Sequence, residues 1–178
     1  LWATLAETGL LGVVVPEQFG GAGLGLVELC LLLQEVGRRT AAVPALAVLA
    51  LGALPVSRWG TDDQRGALLP SIADGSRIVT AALTEPLGDV LRPSVTARRH
   101  DDGWRLDGTR SNVPAGLVAD VILVPATTDD GRSAVFLLDP TADGVGRARG
   151  PRHRRGRAAD GPGPRSRRGR DGQRRRRH

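Results

Sequence analysis

The side chains in this sequence that could do chemistry are few and scattered, and their spacing decides what they can do. His100, His153 and His178 have no cysteine or carboxylate partner at ligand spacing, so no metal site is predicted and all three are read as solvated. Ser71, Ser76, Ser94 and Ser111 fall outside any nucleophile-elbow pattern and no His–Cys pair accompanies them, so no catalytic residue is nominated. Gly20 to Gly25 is glycine-dense enough for a backbone to approach a pyrophosphate, but Leu26 stands where the dinucleotide fingerprint needs its third small residue, and a plain loop is predicted. The most distinctive segment is Ala82-Leu83-Thr84-Glu85-Pro86-Leu87-Gly88-Asp89. There an apolar strand runs directly into Thr-Glu-Pro, where proline ends pairing and leaves backbone donors open at a strand end. Such an end can line a ligand site; the plainer alternative is that Pro86 only turns the chain.

These residues need elements to position them. Residues 1 to about 75 read as helical. Leu29, Leu32, Leu33 and Val36 repeat at the three-and-four spacing of one helix face, and Thr61-Asp62-Asp63-Gln64 has the form of a capping box ahead of Leu68, Leu69 and Ile72. From Arg77 the pattern becomes short and β-prone: Ile78 to Leu83, Val95 to Arg99, Trp104 to Leu106, Val118 to Val124 and Ala134 to Leu138, with Asp102-Gly103 and Asp130-Gly131 as hairpin turns. Helices first and strands second predict an α+β protein: an all-helical unit over 1–76, then a partial antiparallel β-barrel or sandwich over 77–146.

The chain has 178 residues, 40% hydrophobic and 25% charged, which suits a soluble domain or part of a larger one. The single cysteine, Cys30, excludes a disulfide scaffold and makes a reducing, cytoplasmic setting the default. No run of about 18 uninterrupted apolar residues exists, so no membrane span is expected. The formal net charge of +6 hides a division. Residues 1–146 carry 11 Arg against 17 Asp and Glu, a balance of −6, whereas 147–178 carry 14 Arg against two Asp, a balance of +12. That tail has no large apolar residue to offset the entropy of ordering it and is expected to be disordered. The abrupt swing also predicts that residues from about 146 onward are an out-of-frame reading of GC-rich DNA, and the absence of an initiator methionine at Leu1 predicts a truncated beginning.

Three stretches in the expected order resemble the acyl-CoA dehydrogenase family. Leu10 to Arg38, with its Pro-Glu-Gln-Phe-Gly-Gly step, is similar to the family's early loop and helix. Ala82 to Asp89 resembles its Thr-Glu-Pro signature, and Trp104 to Asp120 resembles the following Asn-Gly-x-Lys segment. The resemblance implies a flavoenzyme with helical, β and helical-bundle domains and FAD between the second and third. In that family a third-domain glutamate removes the α-proton of an acyl-CoA thioester while flavin N5 accepts the β-hydride, giving a trans-2-enoyl-CoA. It implies cofactor contact at Leu83, Thr84 and Gly88, an acyl-CoA substrate and a homo- or hetero-oligomer, with the base on a domain this chain lacks.

Two departures accompany the match. The signature's Ala-Gly-Ser-Asp is shortened to Leu87-Gly88-Asp89, and the family's Trp-Ile-Thr or Trp-Ile-Ser becomes Asn112-Val113-Pro114. Pro114 has neither a hydroxyl nor an N–H to offer a flavin. A fragment of a flavin-dependent dehydrogenase subunit is therefore the leading expectation, and a non-catalytic partner chain of a two-chain assembly is the alternative. A third possibility takes the arginine tail as a nucleic-acid binder. All five aromatic residues lie outside the tail, so no stacking platform is interleaved with its charge, which weighs against that possibility.

Overall fold

The computed structural model describes residues 1–84, 92–101 and 103–149. Gly88, Asp102 and the basic tail from residue 150 onward lie outside them. The class is α+β with helices first, as the ordering predicts. Helix α1 (Trp2–Glu7) leads through 3-10 turns at Leu10–Gly12 and Glu17–Phe19 to α2 (Leu26–Arg38). A π-helical segment (Leu46–Ala53) runs directly into α3 (Leu54–Trp59), and α4 (Asp62–Ala73) follows. The strands are β1 (Val79–Ala81), β2 (Thr96–His100), β3 (Gly103–Asp107), β4 (Val121–Thr128) and β5 (Ser133–Leu138).

Local chemistry sets several boundaries. The Gln64 N–H donates to the Thr61 hydroxyl at 3.2 Å and the Thr61 N–H to Gln64 Oε1 at 3.0 Å, so the predicted capping box starts α4. Gly25 N–H donates to Glu28 Oε2 at 2.9 Å at the start of α2. The Gly20–Gly25 loop exists for close approach within the fold. A Cβ at Gly21 would fall 2.0 Å from the Val15 carbonyl oxygen, and the Ala22, Gly23 and Leu24 amides bond back to Gly12, Val15 and Val13. Gly131, at φ 78°, makes the tight turn between β4 and β5.

One core cluster joins Leu11, Val15, Leu29, Val48, Leu49, Leu69 and Ile72 of the helical half to Val79, Ala81 and Leu123 of the sheet. A second, on the other face of the sheet, contains Ala82, Val95, Ala97, Ile122, Val124 and Ala126. The alternation follows from the strand period of two: along β4, Leu123 faces the helices while Ile122 and Val124 face away.

The sheet is mixed rather than purely antiparallel. β2 pairs with β3 and β4 with β5 antiparallel, but β1 and β2 both run parallel to β4, one after the other along a single edge. Val79–Ala81 pair with Val121–Leu123, and Thr96–Ala97 with Thr127–Thr128. The parallel direction follows because the chain leaves that edge after β1 and rejoins it still heading the same way. Among the described residues no helix is long and apolar enough to cross a membrane.

Candidate functional site

Ala82, Leu83 and Thr84 of the distinctive segment sit where the sheet edge is interrupted; the rest of it lies outside the described residues. Ala81 pairs with Leu123 and Thr96 with Thr127, so β4 advances four residues, about 13 Å at strand rise, while the chain takes fifteen steps from residue 81 to residue 96. More chain therefore joins the two strands than the edge between them requires. The mouth of this excursion is pinned on both sides: the Ala82 N–H donates to the Leu123 carbonyl at 2.9 Å, and the Thr127 N–H to the Val95 carbonyl at 2.8 Å. The Thr127 hydroxyl also donates to the Pro93 carbonyl at 2.9 Å. Leu83 and Thr84 are the first residues outside the edge; both are exposed, Leu83 by 46% despite its apolar side chain.

Pro125 occupies the gap in β4. Leu123, Pro125 and Thr127 turn their backbone polar groups toward this edge, and a proline there has no N–H to leave unpaired. Its carbonyl is taken by Arg110 Nη2, which donates at 2.7 Å. Half-burial of that guanidinium pushes its pKa below the ordinary arginine value.

The loop between β3 and β4 delivers Arg110 and carries the other segment singled out by sequence, Asn112-Val113-Pro114. It begins at Gly108, with φ 146°, where a Cβ would lie 3.0 Å from the Val95 Cα; only glycine lets the loop pass so close to the return point of the excursion. Asn112 and Ala115 adopt left-handed φ of 52° and 55°. Val113 packs on the second core cluster. The fully buried Thr80 of β1 donates its hydroxyl to the Pro114 carbonyl at 2.8 Å. Asp120 closes the loop by accepting the Ile78 N–H on Oδ2 at 2.7 Å while its own N–H bonds the Ile78 carbonyl at 2.8 Å.

The structure therefore lays the Asn112–Pro114 loop over the sheet face at Thr80, three and four residues before Leu83 and Thr84. That strand end exposes an apolar side chain at Leu83 and a hydroxyl at Thr84. The Pro114 side of the site is different. Its carbonyl is engaged by Thr80, and proline supplies no donor.

The remaining chemistry-bearing residues stay apart from this site. His100 is exposed, with its Nδ1 3.1 Å from Asp101 Oδ2, a carboxylate neighbour that spacing did not anticipate. No group of three or more metal-ligating side chains occurs among the described residues. Cys30 is exposed on α2. On the face of the sheet carrying the second core cluster, Arg99 stacks 4.8 Å from the centre of the Trp104 ring, which meets Phe136 at 5.1 Å. Sequence reasoning missed Thr80 and Arg110. A hydroxyl in the apolar run Ile78–Leu83 was a signal for the first, because a buried hydroxyl needs a partner. Pro125 inside a strand was a signal for the second, because it marks an unpaired edge.

Residues 1–76 match the family described as acyl-CoA dehydrogenase, N-terminal domain. Acyl-CoA dehydrogenase FadE27 of Mycobacterium tuberculosis is 39% identical over 145 residues, covering 82% of this chain and 38% of that protein. Among solved structures, a variant of the steroid ACAD Tcur3481-Tcur3483 superposes with a TM-score of 0.74 at 50% identity, covering 80% of this chain and 39% of its own. The ChsE4-ChsE5 complex from Mycobacterium tuberculosis gives a TM-score of 0.72 at 39% identity, with coverage of 80% and 38%. The chain thus spans about two fifths of the length of the relatives it matches.

Proposed function

The first 76 residues belong to the acyl-CoA dehydrogenase N-terminal domain family, and from that premise we propose that the chain is part of a flavin-dependent subunit that dehydrogenates an acyl-CoA thioester to the trans-2-enoyl-CoA. On this reading 1–76 is the helical unit, 77–146 part of the β unit and 147–178 a basic tail, in a cytoplasmic oligomer. The backbone of Leu83, the hydroxyl of Thr84 and Gly88 would hold FAD, which when bound supplies the hydride acceptor. Leu83 offers its flank to the ring and Thr84 a hydrogen bond; no residue of this chain is assigned as the base. The observation that carries the reading is the Leu83–Thr84 strand end, exposed where the chain leaves the edge of β4.

Titrating the 178-residue chain with FAD, followed by quenching of flavin fluorescence, tests it. Saturable uptake is expected, weakened in Thr84→Val by about 2- to 10-fold, the equivalent of one hydrogen bond. No uptake, or uptake indifferent to Thr84, would count against the assignment.

Pro114 favours a second reading, a non-catalytic partner chain of a two-chain dehydrogenase, and the two-chain ChsE4-ChsE5 complex among its relatives supports it. Purification together with a flavin-binding second chain separates the two. Half a flavin per chain, carried by the partner, favours this reading; one flavin on each chain removes it.

A further inference from the structure

We propose that Arg110 is the positioning residue for the strand end that carries Leu83 and Thr84: its guanidinium takes the Pro125 carbonyl between the two strands paired to this edge and fixes where the chain leaves and rejoins β4. The part concerning a flavin-facing strand end rests on the function proposed above.

Between the Leu123 carbonyl, bonded by Ala82, and the Thr127 amide, bonded to Val95, β4 presents one residue to this edge with no strand beside it among the described residues. That residue is Pro125, and the acceptor it leaves is met by Arg110 Nη2 at 2.7 Å. A half-buried carbonyl without a partner in such a gap is destabilising, so without Arg110 the edge would gain by drawing β1 or β2 inward to cover it. Either movement would shift the mouth of the excursion and turn Leu83 and Thr84 with it, because a one-residue slip reverses the face of every side chain. The planar guanidinium suits the position better than an ammonium would. It can donate sideways to a carbonyl while its flat body lies against the neighbouring strands, whereas a lysine is a strongly hydrated point charge. Gly108 holds the base of the same loop 3.0 Å from Val95, so Arg110 starts from a point already fixed to the returning strand.

The test compares amide hydrogen exchange in the unmodified chain, Arg110→Met and Arg110→Lys, without flavin. A positioning role predicts that R110M speeds exchange of the Ala82 and Thr127 amides by about tenfold or more, leaves α2, α4 and the β4–β5 ladder unchanged, and is partly rescued by R110K. A uniform rise across the protein would mark a merely structural arginine, and unchanged protection at both amides would overturn the proposal. Should R110M not fold, R110K alone decides: faster exchange confined to those two amides supports the role, and unaltered exchange there overturns it. Flavin titration of the unmodified chain is read separately. Absence of uptake there sinks the flavin reading and leaves the amide result standing.

Discussion

Exchanging glycine for alanine at two helical positions should shift stability in opposite directions, and the structure gives the reason. Gly52 is buried in the π-helical segment against β1, where an added Cβ would lie 2.3 Å from the Val79 carbonyl oxygen, 2.9 Å from its carbonyl carbon and 3.1 Å from its Cβ. Ordinary contact needs about 1 Å more. None of the atoms met is the end of a flexible side chain, and β1 cannot simply retreat, because Val79 is paired with Val121 and Ile78 is held by Asp120. Overpacking of this kind costs about 1–3 kcal/mol, against a gain of about 1 kcal/mol from replacing glycine within a helix, so Gly52→Ala is expected to lose up to about 2 kcal/mol. At Gly66, on the exposed side of α4, nothing lies within 4 Å of the new Cβ. Gly66→Ala should therefore keep the helical gain of about 0.5–1 kcal/mol. At about 2–4 °C per kcal/mol for a chain of this size, the two variants should melt about 1–12 °C apart, on opposite sides of the unmodified chain. Thermal unfolding followed by circular dichroism measures both. If G52A melts at or above the unmodified chain, the contact between the π segment and β1 is not what holds the two halves together.

Three further outcomes are expected. Thr61→Ala removes one half of the capping box and should cost about 1 kcal/mol in chemical denaturation, with Thr61→Ser recovering most of it; an unchanged midpoint would show that the cap contributes nothing. Thr80→Val keeps the shape but removes the bond to Pro114, and should cost about 0.5–1.5 kcal/mol while loosening the Gly116 and Val118 amides in exchange; a more stable variant would contradict the bond. The third concerns acid. Hydrogen bonds from the Ser76 hydroxyl and N–H hold Asp74 below the ordinary aspartate range, and those from the Thr141 hydroxyl and N–H do the same for Asp139. Lowered folded-state values mean that the unfolded chain takes up protons first. The stability these groups contribute is present above about pH 4 and is lost as pH falls through the depressed values. Melting temperature should be level above that point and decline below it, less steeply in a Ser76→Ala, Thr141→Val double variant; an equal slope would remove both bonds from the account.

What could be read in the sequence was local. The capping box at Thr61 and Gln64 was visible because both partners lie within one helical turn, and the Asp130-Gly131 turn because positive φ is a property of the residue itself. All five strands were placed, but Val118 to Asp120 is a turn rather than the start of β4: Val118 is exposed, and Asp120 spends its carboxylate on the Ile78 amide. Strand direction was hidden, because parallel pairing of β1 and β2 with β4 depends on contacts across some thirty to forty residues that no short window contains. The π segment Leu46–Ala53 was hidden for the opposite reason: it is apolar on nearly every side, so no periodicity marks a face. At the candidate site, Thr84 announced itself through the proline two residues later, whereas Arg110 acts through a carbonyl fifteen residues away, and only the finished sheet brings them together.

The end-to-end placement of β1 and β2 along one long strand also sets an order of assembly. Neither short strand has its own parallel partner until residues 121–128 have been made, so β4 is the template on which two earlier pieces of chain are aligned. During synthesis the helices and the β2–β3 hairpin can form from what has already emerged, and β1 can lie on the helices, but its backbone must wait for a parallel partner. Non-local pairing of this kind slows folding and prolongs exposure of apolar strand. A chain ending before Val121 would hold a hairpin and a set of helices with no strand to join them, and the next eight residues would complete both halves of the edge at once.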